Sequence, residues 1–234
     1  MSTPGSRGQQ PNSVWVIVPA YNEQRTIQKA VLALRGFCPN VVVVNDCSTD
    51  ATAALARAAG AHVVTHPINL GQGAALQTGV MFALQRGAGY LVTFDADLQH
   101  RPDEIPGLLN TLTKSGADFA LGSRFLGKAT NVDLPRKLVL KLAVLFTRLT
   151  TGLKITDTHN GLRAMTRRGA SSLDIRQNRM AHASEILQQI AKSRLSYVEV
   201  PVTVDYTAYS TAKGQRLSNS VSILLELLSG ALQR

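Results

Sequence analysis

Five short β-branched runs mark the first half of the chain, at 14–18, 41–45, 62–65, 90–94 and 118–122. They are almost wholly apolar and lack the alternation of a half-exposed strand, so they predict strands buried on both faces of a parallel sheet. Helical patterns lie between them. Segment 23–35 places Ile27, Ala30, Val31 and Leu34 on one face, with Asn22 positioned to cap its start. Segment 50–59 is Ala-rich and stops at Gly60, 74–85 stops near Gly87, and 106–114 stops at Gly116, glycine being favoured just past a helix end. Strand–helix–strand alternation of this kind argues a Rossmann-like α/β sheet flanked by helices.

The pattern changes in the second half. Segments 136–151 and 184–194 read as helices, and 196–206 alternates as a strand whose Pro201 suggests a sheet edge. Segment 217–232 sets Leu217, Val221, Leu224, Leu225, Leu228 and Leu232 on one face of a terminal amphipathic helix. No repeat or linker stands out. The expected organisation is a leader at 1–12 rich in Gly, Pro, Ser and Gln, one domain over 13–207, and a C-terminal elaboration over 208–234, made of a basic loop and the terminal helix.

Composition narrows the function classes. With 44% hydrophobic and 17% charged residues the chain has ample material for a core. Its two cysteines exclude a disulfide framework or a Cys-based zinc site. The first residues carry no apolar core of a signal peptide, and no stretch reaches the roughly 18 uninterrupted apolar residues of a membrane span. A cytoplasmic protein, soluble or peripheral at a membrane surface, is expected. The net charge of +10 points to an anionic partner without choosing among nucleic acid, phosphorylated ligand and lipid.

The chemistry sits at the ends of the predicted strands, where parallel α/β sheets bind ligands. Strand one ends in Pro19-Ala20-Tyr21-Asn22-Glu23, strand two in Asn45-Asp46-Cys47-Ser48-Thr49-Asp50, strand four in Asp95-Ala96-Asp97-Leu98-Gln99-His100, and strand five in Gly122-Ser123-Arg124. Helix capping explains any one cluster. It gives no reason for four to converge. Asp95 and Asp97 are two apart at a strand end and so face one cleft, where they repel unless a cation lies between them. Oxygen ligands without a His or Cys cluster imply a hard ion, Mg²⁺ or Mn²⁺, completed by substrate phosphates, and Gln99 can add a carbonyl oxygen. His100 reads as a surface residue and Cys47 as inert filler. Asn69-Leu70-Gly71-Gln72-Gly73 precedes a helix and lets backbone approach a phosphate or base, yet it lacks the third glycine of a dinucleotide fingerprint and reads on its own as a turn.

Taken together, these motifs resemble family 2 glycosyltransferases of the GT-A fold, and most closely the branch that makes dolichol-phosphate mannose and other polyprenyl-phosphate sugars. Asp157-Thr158-His159-Asn160-Gly161-Leu162-Arg163 is similar to that branch's Asp…Gly-Phe-Arg segment. The resemblance implies that Pro19, Ala20, Tyr21 and Glu23 cradle a nucleotide, with Gly71 and Ala96 beside it and Asp46 reading the base. It implies that Asp95 contacts the ribose or sugar, that Asp97 and Gln99 hold the metal, and that Arg124, Arg136 and Arg163 contact the diphosphate or an acceptor phosphate. Lys213 and Arg216 match the family's basic loop only loosely. Two departures stand out: Thr158-His159-Asn160 replaces small residues, and Leu162 replaces an aromatic.

The resulting expectation is one inverting displacement from a nucleotide-diphosphate sugar to a polyprenyl phosphate, which is already ionised and needs no base. A sugar hydroxyl acceptor, as in extension of a lipid-linked or surface glycan, would need one, and Asp157 is the best-placed carboxylate. A nucleotidyltransferase would carry a glycine-rich basic loop where Pro19 to Glu23 stands, and no motif supports a nucleic-acid partner. Segment 136–151 sets Lys137, Lys141 and Arg148 beside Leu138, Leu142, Leu145, Phe146 and Leu149. Such a basic amphipathic helix predicts attachment to an anionic membrane surface. The terminal leucine face is open to lipid, to the core, to a small membrane-spanning partner protein or to a second copy in a homodimer.

Overall fold

The computed structural model describes residues 13–130, 134–177 and 181–206. The leader, the basic loop with Lys213 and Arg216, and the helix expected at 217–232 lie outside the described residues. In chain order the elements are β1 (Val14–Ala20), α1 (Ile27–Arg35), β2 (Asn40–Asn45), α2 (Thr52–Ala58), β3 (His62–Thr65), α3 (Gln72–Gln85), β4 (Tyr90–Thr93), α4 (Ile105–Ser115), β5 (Phe119–Thr130), α5 (Leu134–Thr151), β6 (Arg163–Thr166), α6 (Arg167–Ser171), α7 (Ala181–Ser193) and β7 (Tyr197–Asp205).

The strands form a seven-stranded sheet in the order β3-β2-β1-β4-β6-β5-β7. All neighbours pair in parallel except at β6, which runs antiparallel to both β4 and β5. Strict period-two alternation divides the core. Val16, Val18, Val41 and Val43 face one side of the sheet, against Ile27, Val31 and Leu34 of α1 and Ile105, Leu108 and Leu112 of α4. Ile17, Val42 and Val44 face the other, against Ala75, Leu76 and Val80 of α3 and Ile186, Leu187 and Ile190 of α7. Burial on both faces explains why β1 and β2 read as unbroken valine–isoleucine runs. Gly79 lets α3 lie close on the sheet, since a Cβ there would come within 2.3 Å of Ile17 Cγ2. β7 is the outer strand on its side, as Pro201 predicts: Pro201 pairs with Ser123 where it has no N–H to give.

Two local expectations change. α1 begins at Ile27, and Thr26 at its cap position makes no side-chain bond to it. Asn22 instead accepts the Thr49 N–H at 2.9 Å, joining the loops after β1 and β2 rather than capping a helix. The second change is β6 itself, which no strand pattern announces. Arg163-Ala164-Met165-Thr166 is short, lacks a β-branched run and opens on a charge, yet it is the strand that joins β4 to β5. Because it runs against its neighbours, it begins where they end. Arg163 pairs across to Thr93 of β4 and Leu121 of β5 and so stands at the ligand end of the sheet.

Candidate active site

The loops after β1 and β2 are stitched together. Asn22 N–H donates to Ser48 Oγ at 2.9 Å, Glu23 N–H to Thr52 Oγ1 at 2.7 Å, and Gln24 N–H to Asp50 Oδ2 at 3.2 Å. Much of the polar cluster after β2 therefore holds its neighbour's backbone. Pro19 and Ala20 are buried at the end of β1, Glu23 is buried just beyond, and Tyr21 presents its ring to solvent at 44% exposure. Of the four non-glycine described residues with left-handed backbone, three lie at strand ends: Asn22 at φ 52°, Cys47 at φ 60° and Leu98 at φ 61°, one in each of the loops after β1, β2 and β4. Such conformations cost on the order of 1 kcal/mol each and persist where surrounding contacts enforce them. Here they turn the chain sharply at three strand ends.

Asp46 is committed to the loop that leads into α3. Its carboxylate accepts the N–H of Leu70 at 2.9 Å, the N–H of Gly71 at 2.7 Å, and His66 Nδ1 at 2.8 Å. The resemblance implies a contact from Asp46 to the base; in the structure both of its oxygens are turned to this loop. Gly71 has φ 91°, a region that side chains avoid, and starts α3 without a side-chain cap. The next residue, Gln72, reaches across and donates from Nε2 to Asp95 Oδ1 at 3.1 Å.

Asp95 and Asp97 follow β4, with Ala96 buried between them. Their environments drive their acidities apart. Burial alone would push the Asp95 carboxyl up, but the hydrogen bond and charge of His100, followed by the charges of Arg163 and His182, hold it below the usual carboxylate range. Asp97 is pushed up to about 6, first by burial and then by the Asp95 charge, against the Gln99 N–H that donates to its Oδ1 at 3.1 Å. His100 is not a surface residue: it is buried, with Nε2 3.5 Å from Asp95 Oδ2. Phe94, edge-on at 6.1 Å between ring centroids, covers it.

The acidic pair fits a hard cation. Among the described residues no three His, Cys, Asp or Glu side chains converge as a full ligand set. The raised proton affinity of Asp97 comes from burial and the Asp95 charge, and a divalent ion shared with substrate oxygens and water would offset both. Gln99 is half-buried, and its backbone carbonyl accepts the Asp205 N–H at 2.9 Å, which leaves its side-chain amide out of that bond.

Gly161 closes in on the same carboxylate. Thr93 Oγ1 donates to its carbonyl at 2.6 Å, and a Cβ on Gly161 would lie 1.9 Å from Asp95 Oδ2. Gly161→Ala is therefore expected to displace Asp95. It should lower turnover at least about tenfold while shifting the melting temperature little, because only one side chain has to move. Parallel turnover and calorimetric measurements check this, and unchanged turnover would show that Asp95 need not be held there.

The three predicted arginines differ. Arg124 is consumed internally: Nε donates to Asp157 Oδ2 at 2.6 Å, NH2 to the His159 carbonyl at 2.7 Å, and NH1 to the Tyr206 hydroxyl. Side-chain exposure is 7% for Arg124 and 1% for Asp157, so the pair is sealed from water. Asp157 Oδ1 accepts the His159 N–H, and its carboxyl is held below the usual range because Arg124 outweighs the cost of burial. Arg163 is only 3% exposed, yet among the described residues its guanidinium meets no hydrogen-bond acceptor and no carboxylate within ion-pair distance. Burial pushes its pKa down, offset in part by the charges of Asp95 and Asp157. Arg136 lies in the first turn of α5, with its side chain outside what is described.

Sequence reasoning gave no site role to the histidines. His159 is pushed down to about 4, by burial first and then by Arg124, and its Nε2 is buried without a partner. His182, at the start of α7, is buried and lies close enough to influence both Asp95 and His159. Neither carries a spacing signal, since both are brought in by the packing of distant segments.

Along α5, Leu138, Leu142, Leu145 and Leu149 are between 46% and 78% exposed. Beside them Phe125, Lys141, Val144, Leu145, Arg148 and Thr156 line a recess of about 260 Å³. Among the described residues no helix is long and apolar enough to cross a membrane.

The family described as glycosyl transferase family 2 matches over residues 15–173. The UDP-N-acetylglucosamine–dolichyl-phosphate N-acetylglucosaminyltransferase of Methanococcus voltae is 31% identical, over 92% of this chain and 94% of its own. The polyprenol monophosphomannose synthase of Mycolicibacterium smegmatis is 34% identical, over 87% of this chain and 85% of its own. Among solved structures, glucosyl-3-phosphoglycerate synthase from Mycobacterium tuberculosis, in complex with Mn²⁺, uridine diphosphate and glucosyl-3-phosphoglycerate, superposes with a TM-score of 0.73 at 20% identity, over 97% of this chain and 86% of that one. That likeness shows a shared fold.

Proposed function

Since the chain belongs to glycosyltransferase family 2, we propose that it transfers a sugar, with inversion, from a nucleotide-diphosphate sugar to a polyprenyl phosphate. Both relatives act, by name, on a polyprenol or dolichyl phosphate, and each matches this chain over most of its length. The observation that carries the reading is the state of Asp157. A hydroxyl acceptor needs a base, and the carboxylate best placed for it is sealed beneath Arg124 at 2.6 Å with its acidity increased. A phosphate acceptor arrives already ionised and needs none.

Pro19, Ala20, Tyr21 and Glu23 then line the nucleotide side of the cleft, with the Gly71 loop facing them. An acceptor phosphate oxygen forms the new bond to the anomeric carbon as the bond to the β-phosphate breaks, and the electron pair leaves with the nucleoside diphosphate. Asp97, with Gln99, would hold a divalent cation, Mg²⁺ or Mn²⁺, which when bound would supply positive charge to the departing diphosphate. Asp95 orients the sugar or ribose and is itself oriented by Gln72, His100 and Gly161. Arg163 meets phosphate oxygens, a task its forked donors suit. Arg124 and Asp157 act as a positioning pair that fixes the 157–161 segment against Tyr206.

The exposed leucines of α5, flanked by exposed Lys137, Lys141 and Arg148, suit the headgroup region of an anionic membrane. The basic-rimmed recess beside them suits the phosphate end of a lipid. One experiment addresses both. Anionic vesicles carrying polyprenyl phosphate are incubated with Mn²⁺ and labelled UDP-, GDP- or dTDP-sugars, then floated at low and high salt. Label and protein are expected together in the lipid layer at low salt, with protein released at high salt. Label passing only to a free glycan would overturn the lipid-phosphate acceptor, and protein that never floats would overturn attachment.

A further inference from the structure

Asp46, His66 and Thr78 form a hydrogen-bonded chain that none of the roles above uses. Asp46 ends β2, His66 follows β3, and Thr78 lies on the second turn of α3. His66 Nδ1 is 2.8 Å from Asp46 Oδ1, and Nε2 is 2.9 Å from Thr78 Oγ1. Asp46 and His66 are both buried. The chemistry assigns the protons. A carboxylate only accepts, so Nδ1 carries the hydrogen, and Thr78 Oγ1 pairs with the other ring nitrogen. Asp46 is thus oriented from behind by an imidazole held at both nitrogens while its front takes the N–H groups of Leu70 and Gly71 at 2.9 and 2.7 Å. Those amides belong to the loop that precedes Gln72, whose side chain reaches Asp95 at 3.1 Å.

We propose that His66 is a positioning residue for the nucleotide donor: it orients Asp46 so that residues 69–71 hold the shape that receives the nucleotide. This rests on the proposed function for its ligand, though not for its geometry. Asp46 alone accepting two backbone N–H groups would be an ordinary turn. The third bond, from a buried histidine anchored in turn to α3, makes the loop's shape depend on a side chain 20 residues away from Asp46 in the sequence.

Two variants separate positioning from packing. In His66→Asn the side-chain amide nitrogen takes the place of Nδ1 and keeps the donor to Asp46. In His66→Gln the nitrogen takes the place of Nε2, and that donor is lost. Calorimetric titration of the full chain with UDP, GDP and dTDP in Mn²⁺ should leave His66→Asn within about threefold of wild type and weaken His66→Gln at least about tenfold, the loss expected for one buried charge-assisted bond. In the absence of nucleotide, amide exchange at Leu70 and Gly71 should accelerate at least about tenfold in His66→Gln and not in His66→Asn. Equal losses in both variants that track their melting temperatures would overturn the proposal in favour of packing alone. Unchanged exchange in His66→Gln would overturn it as well. Wild-type protein that binds no nucleotide would overturn the proposed function and the nucleotide half of this one, while exchange still decides whether His66 shapes the loop.

Discussion

Asp97→Asn is expected to abolish sugar transfer and, in metal-free buffer at neutral pH, to raise the melting temperature. The two effects have one origin. Burial and the neighbouring Asp95 charge push the Asp97 carboxyl up to about 6, against about 3.9 in an unfolded chain. The folded protein therefore binds this proton more tightly than the unfolded one, and stability declines as pH rises from about 4 to 6. Above that window the ionised pair costs at most about 3 kcal/mol, roughly two pKa units, and asparagine removes the cost. Below about pH 4 wild type is protonated and the advantage disappears. Turnover should fall by at least about 1000-fold, since charge neutralisation by a divalent ion is worth several kcal/mol. Thermal melts in EDTA at pH 7.5 and pH 4, with label transfer in Mn²⁺, test both halves. Near-normal activity in the variant, or in wild type with excess EDTA, would remove the cation from the mechanism.

Arg124→Ala and Arg163→Met should fail in opposite ways. Removing Arg124 strands the Asp157 carboxylate, whose side chain is 1% exposed, and takes one hydrogen bond each from the Tyr206 hydroxyl and the His159 carbonyl. Breaking a buried ion pair from one side costs about 3–5 kcal/mol, a large share of the stability of an ordinary domain. A melting temperature lowered by many degrees is expected, with activity lost because the 157–161 segment is released. Removing Arg163 strands no carboxylate, so Arg163→Met should melt at or above wild type while turnover falls roughly 10- to 100-fold. Paired melting and kcat/KM measurements decide it. Equal destabilisation by both substitutions would give Arg163 a structural role and leave the leaving diphosphate without this contact.

The parallel strands were legible because burial on both faces demands continuous valine and isoleucine, as at Val41 to Val44, and because glycines such as Gly60 and Gly116 stop the intervening helices. β6 was not legible. Its four residues are held by hydrogen bonds to β4 and β5, and neighbours so distant in sequence leave no local period. In the site, the paired acids were visible as Asp95 and Asp97 because they stand two apart just past a strand end, although β4 stops at Thr93 and the turn that follows carries them. The separation of Arg124 from Arg163 was invisible, since both are arginines near a strand end and only the tertiary position of Asp157 distinguishes them. His66 and His182 drew no reading, His100 was taken for a surface residue and His159 for a departure without a role, all for the same reason: a lone histidine carries no pattern, and its role is set by what packs against it.

The place of β6 in the sheet also sets an order of assembly. β1 to β4 are contiguous in the sheet and in the first 93 residues, so as the chain leaves the ribosome they can pair without waiting for later segments. β5 cannot. Its two neighbours are β6 and β7, which emerge at residues 163–166 and 197–205, and until then both its edges are open. The nascent chain must therefore hold a twelve-residue strand of mixed character exposed through the synthesis of about a third of its length. Slow translation beyond residue 130, or a substitution that weakens the four residues of β6, should lengthen that exposure and divert chains into aggregates before the finished protein shows any instability. The strand that delivers Arg163 to the cleft is thus also the one on which the yield of folded enzyme depends.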